Sequence, residues 1–85
     1  MPEQIEPMYP IDGKLLTELK TRFTYHKPKP DQLPRYEAIR AKLYDLAIYL
    51  CENAPDSRER SLALTHLDEV GWTANAAIAR REPEA

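Results

Sequence analysis

Apolar residues recur along this chain at helical spacing in three blocks. In the first, Leu15, Leu16 and Leu19 form one side of a short segment that Asp12 can cap, which predicts a helix ending near Thr21. In the second, the apolar positions are 33, 36, 39, 43, 46, 47 and 50. Steps of three and four predict an amphipathic helix from Leu33 to Asn53, with Asp31 as its N-cap and Pro34 in its first turn. Ala54-Pro55 stops it, because the residue before proline avoids the helical region. Asp56-Ser57-Arg58-Glu59 has capping-box spacing and starts a third helix, expected from Ser57 to Arg81. Two stripes run along it: Ala63, Leu67, Val70, Ala74 and Ala77, and beside them Leu64, Leu67, Gly71, Ala74 and Ile78.

Two long helices joined by a short turn must lie antiparallel. The predicted fold is all-α, a short N-terminal helix followed by a long antiparallel helical hairpin. Residues 1–11, with Pro2, Pro7 and Pro10, read as a flexible arm, and residues 12–82 as a single domain. Two helices cannot enclose a core, and two stripes on one helix call for two neighbours. One is the hairpin partner; the other is expected to be a second protomer. Gly71 supports this, since a mid-helix glycine costs about 1 kcal/mol unless packing requires it.

Length sharpens the point. A chain of 85 residues buries only about 60–65% of its unfolded surface, and Cys51 is the single cysteine, so no internal disulfide can add stability. A lone thiol suits a reducing, cytoplasmic setting. Cys51, His26 and His66 have no metal-site spacing, so neither metal nor cofactor is expected. No apolar run approaches the ~20 residues of a membrane span.

Net charge is −2, which argues against a nucleic-acid polymer as partner. The local distribution differs: Lys20, Arg22, Lys27 and Lys29 lie between residues 20 and 30 with no carboxylate among them. That region includes Phe23-Thr24-Tyr25-His26-Lys27-Pro28-Lys29-Pro30, a proline-stiffened loop offering rings for stacking and cations for an anion. The structural alternative is a helix-entry loop whose Phe23 and Tyr25 cap a small core. Arg40, one turn after Tyr36, presents a planar fork suited to phosphate, or else pairs with Glu37 or Asp45. Catalysis finds less support. Ser57 and Ser61 sit where caps sit, His66 reads as a packed, hydrogen-bonded histidine, and Trp72 reads as core or interface. No glycine-rich phosphate loop is possible with only Gly13 and Gly71. The chain is expected not to be an enzyme.

Phe23-Thr24-Tyr25-His26, Tyr36 to Arg40, Asp56-Ser57-Arg58, Ser61 and Thr65-His66-Leu67 together resemble the phage anti-CBASS cyclic-oligonucleotide sponges. The same hairpin occurs in Thoeris anti-defence sponges. The resemblance covers roughly residues 20–81. It implies a homo-hexamer in the infected cell's cytoplasm that sequesters cyclic dinucleotide immune signals between protomers without cleaving them. In similar members a loop aromatic stacks on a base, and a basic residue fifteen positions later, commonly lysine, meets the phosphates. Tyr25 and Arg40 stand at that spacing here, with His26, Lys27, Lys29 and Tyr36 as expected helpers. Some members have a second pocket for cyclic trinucleotides built on a late arginine. That position falls on Ala76 here, and Arg80 lies one turn further. Two other readings stay open: a sponge for cyclic ADP-ribose signals, and a helical protein-interaction module.

Overall fold

A computed structural model describes residues 7–83. Its elements are α1 (Gly13–Phe23), α2 (Gln32–Asn53) and α3 (Arg58–Arg81), with no strand among the described residues. The expected arm falls partly outside them; its residues 7–11 carry no helix and are exposed.

Each helix end has a local cause. Asp12 caps α1 by accepting from the Leu15 N–H at 2.8 Å, and the helix runs two residues beyond the expected Thr21. The third cap differs from the capping-box reading. Ser57, not Asp56, is the N-cap of α3; its hydroxyl accepts from the Arg60 N–H at 3.1 Å. Asp56 instead lies 3.3 Å from the Arg60 guanidinium. Arg60 also donates to the carbonyls of Cys51 and Ala54, satisfying acceptors at the open end of α2.

Asp31 flanks α2, but its side chain makes no cap hydrogen bond and pairs with Arg35 at 3.1 Å. The loop is instead tied to the start of α2 by Gln32, whose Oε1 accepts from the Lys29 N–H at 2.9 Å. Its Nε2 donates to the Ile78 carbonyl at 3.3 Å and to Glu82 at 3.0 Å. The start of α2 therefore lies beside the end of α3, and the hairpin is antiparallel. Gln32, 3% exposed, is the one buried residue among the described residues. Arg35 reinforces the junction with a two-pronged grip on Glu82, its Nη2 donating at 2.8 Å. At α1, Arg81 holds Glu18 similarly, with contacts of 2.8 and 2.6 Å.

The hairpin seam is made by half-buried Tyr36, Ile39, Leu43, Ala47 and Leu50 of α2. Facing them are the Leu64–Leu67–Gly71–Ala74–Ile78 positions of α3. The other expected stripe is only partly covered, with Val70 and Ala77 exposed. No apolar side chain is fully buried among the described residues, and Tyr44, Tyr49 and Leu62 are also exposed. The radius of gyration is 18.5 Å, against about 12 Å for a compact domain of this length.

Gly71 has its packing reason inside the hairpin. A Cβ there would lie 3.0 Å from Leu43 Cδ1. Gly71→Ala should be nearly neutral, because the end of Leu43 can yield and helix propensity improves by about 1 kcal/mol. Gly71→Leu should overpack the seam and lose roughly 1–3 kcal/mol in urea unfolding.

The Arg35 guanidinium, and after it the Gln32 amide, hold the Glu82 carboxyl at about 2, below its ordinary 4.5. A depressed carboxylate stabilises the fold above its ordinary value and loses that contribution as pH falls. The loss should therefore occupy the window from 4.5 down to about 2. Thermal melts across that range should show a shallower acid loss for Glu82→Gln than for the parent.

Candidate functional site

The loop between α1 and α2 is held open against α3 rather than folded into a core. Its anchor is His26, whose Nε2 lies 2.6 Å from the Thr21 carbonyl. A carbonyl only accepts, so this nitrogen carries the proton and donates. The contact ties the loop to a last-turn carbonyl of α1 that helix geometry leaves open. Pro28 and Pro30 limit the backbone beyond it. The neighbouring Tyr25 is 84% exposed, so the core-capping alternative for this ring does not hold.

Beside this loop, α2 and α3 leave a cleft of about 490 Å³. Tyr25 and His26 from the loop, Tyr36 and Arg40 from α2, and Arg80 from α3 all line it. Five of the side chains singled out in the sequence thus share one cleft. Arg80 lines both this cleft and an adjoining depression of about 540 Å³. Lys27 and Lys29 line only that neighbour. Lys29 is already engaged, donating from Nζ to the Pro83 carbonyl at 2.9 Å.

Arg40 makes neither ion pair nor hydrogen bond with any of the described residues, so the pairing with Glu37 or Asp45 does not form. Arg80 is likewise without an ion pair among them. Arg22, the last turn of α1, adds a third guanidinium to the lining and rests 5.6 Å from the Phe23 ring centroid. Glu37 supplies the one carboxylate in the lining. Three guanidiniums from three helices against one carboxylate make a cleft that favours an anion. Rigid planar forks suit phosphate oxygens in particular. Tyr25 and Tyr36 add aromatic surface within the same volume.

Further lining residues were assigned otherwise or passed over in the sequence. Trp72 is 68% exposed and lines the cleft, so it is not a core residue of the protomer. Asn75 lines it too, and its Oδ1 is solvent-inaccessible with no hydrogen-bond partner. Ala76, where the resemblance places a second-pocket arginine, contributes a small wall. His66 is hydrogen-bonded as expected, to Glu69 at 2.9 Å, but it is exposed rather than packed and lies outside the cleft. Among the described residues no helix is long and apolar enough to cross a membrane.

The pattern of the Acb2/Tad1 hairpin domain matches residues 16–79, about three-quarters of the chain. The chain belongs to the Acb2/Tad1 hairpin-domain family. Membership of the anti-defence sponge family, expected above all from the Asp56-Ser57-Arg58 and Thr65-His66-Leu67 segments, is thereby borne out. No curated protein and no solved structure matches the chain. Within this Acb2/Tad1 member the matched span begins inside α1 and ends one residue before Arg80. The cleft residues Arg22, Tyr25, Arg40 and Trp72 all lie inside it.

Proposed function

We propose that this Acb2/Tad1 hairpin protein sequesters cyclic dinucleotide second messengers of bacterial immunity. In this reading it blocks CBASS effector activation by lowering the free signal, without cleaving it. The observation that carries the reading is the convergence of Arg22, Arg40 and Arg80, none in an ion pair among the described residues, on the cleft that Tyr25 lines. A cyclic dinucleotide presents two flat bases and two phosphates on a compact ring. Tyr25 stacks on a base, Arg40 meets a phosphate, and Arg22 and Arg80 complete the positive wall. His26 keeps Tyr25 in place through its bond to α1. A cyclic trinucleotide would use Arg80 in the same cleft rather than a separate pocket.

Sequestration by one hairpin leaves a ligand half-exposed in a shallow cleft. We therefore propose a homo-hexamer in which a second protomer closes the site. The exposed Val70, Ala77, Tyr44 and Tyr49 surfaces are what such an assembly would cover. Light scattering at low micromolar concentration should give a particle larger than a dimer; a folded 9.8 kDa monomer would end this part of the reading.

The decisive test incubates purified protein with cyclic dinucleotides, cyclic trinucleotides and cyclic ADP-ribose isomers, removes free ligand, then denatures the protein by heat. Chromatography should recover an intact cyclic dinucleotide. Recovery of a new product would make the protein an enzyme. Retention of cyclic ADP-ribose alone would move it to the Thoeris signals, and no retention would leave a protein-interaction module.

A further inference from the structure

On the reading of the cleft as a cyclic-dinucleotide site, we propose that Trp72 and Asn75 form a base-recognition pair. The indole stacks on a purine, and the Asn75 amide hydrogen-bonds that purine's edge. The two residues are three apart on α3, and side chains at that spacing lie on one helix face.

Both also line the same two concavities, the main cleft and a smaller one of about 170 Å³ beneath Gly71. Arg40 is the one α2 side chain that lines both as well. An aromatic face, an amide and a guanidinium thus share the boundary between them. A nucleotide needs all three chemistries: a surface for the base, a reader for its edge and a cation for its phosphate.

The state of Asn75 points the same way. Its Oδ1 is shielded from solvent and accepts no hydrogen bond, and Asn75 makes none elsewhere among the described residues. Folded proteins rarely leave such an acceptor unpaired. The amide oxygen and nitrogen exchange places by a half-turn of the side chain. Whichever end faces the cleft, an unused donor or acceptor is available to a ligand. An amide carries both groups side by side. Adenine offers an amino donor next to a ring acceptor, whereas guanine offers a carbonyl acceptor next to a ring N–H. The two edges call for opposite orientations of the amide, and packing around the half-buried side chain favours one of them, so Asn75 meets the two bases differently, while stacking on Trp72 is indifferent to base identity.

The experiment uses the full chain, with cyclic di-AMP and cyclic di-GMP as probes. Trp72 is the sole tryptophan, so intrinsic emission reports on this residue alone. Each dinucleotide that binds by calorimetry should change that emission saturably, with the same midpoint. Trp72→Leu should weaken both dinucleotides alike, by roughly five- to 150-fold. Asn75→Leu should instead change the ratio of the two affinities at least fivefold. Circular dichroism and light scattering check that each variant keeps the parent's helicity and mass. If a variant fails either check, the emission titration of the parent protein decides.

Calorimetric binding with unchanged emission would overturn the pair and leave the proposed function standing, as would parent-like affinity in Trp72→Leu. An equal loss for both bases in Asn75→Leu would remove the edge contact. Binding of neither dinucleotide by calorimetry would overturn both the pair and the function on which it rests.

Discussion

Arg40→Ala should weaken cyclic-dinucleotide binding by ~1.5–3 kcal/mol per contact, about ten- to 150-fold, read by calorimetry at fixed salt. The magnitude follows from the state of the side chain. Arg40 has no ion pair or hydrogen bond with the described residues, so its fork is free to engage phosphate without first breaking an internal bond. Tyr25→Ala should cost a comparable ~1–3 kcal/mol if one base stacks on the ring, and Tyr25→Phe much less. The two losses should separate under salt. Removing Arg40 lowers the salt dependence of what binding remains, whereas removing Tyr25 leaves it unchanged. Arg40→Lys should keep part of the affinity, since an ammonium preserves the charge and forfeits only the two-pronged geometry. Where two protomers share one ligand, each substitution acts twice and these losses double. Parent-like binding by both alanine variants would remove Tyr25 and Arg40 from the site.

Most of the fold was legible because helical period and proline punctuation are local signals. The seven apolar positions of α2 and the Ala54-Pro55 stop required no knowledge of a partner. The contrast between Tyr25 and Gln32 shows where legibility ends. Tyr25 could be singled out because its chemistry and its loop are written side by side in the chain. Gln32 could not, since its burial depends on Ile78 and Glu82, 46 and 50 residues away. Trp72 is a different case. Its hydrophobicity suggests core or interface, and only core within the protomer fails: it follows Gly71 by one residue and so points about 100° away from the seam that Gly71 occupies. The period already contained that direction. Arg22 likewise sat in the positive run but was not separated from it, because only the packing of α1 beside α3 through Glu18 and Arg81 brings it to the cleft.

Gln32→Leu should destabilise the fold strongly and loosen the cleft with it. Its amide serves three segments at once: the loop through the Lys29 N–H, α3 through the Ile78 carbonyl, and the chain beyond α3 through Glu82. A leucine fills the same space and makes none of these bonds. The two bonds to neutral backbone groups contribute about 0.5–1.5 kcal/mol each, so a loss of roughly 1–3 kcal/mol is expected. For a domain of this size that lowers the melting midpoint by about 4–24 °C. The effect should also reach the cleft, because Gln32 fixes the end of the loop that presents Tyr25. Binding should weaken at temperatures where the variant is still helical, as the loop end comes loose before the hairpin opens. Gln32→Glu separates the two roles: it still offers an acceptor to the Lys29 N–H but sets a second carboxylate against Glu82. Its stability should recover as pH falls and either carboxyl takes up a proton, whereas Gln32→Leu should show no such recovery. A Gln32→Leu protein that melts and binds like the parent would mean that the junction of loop, α2 and α3 is held by Arg35 and Glu82 alone.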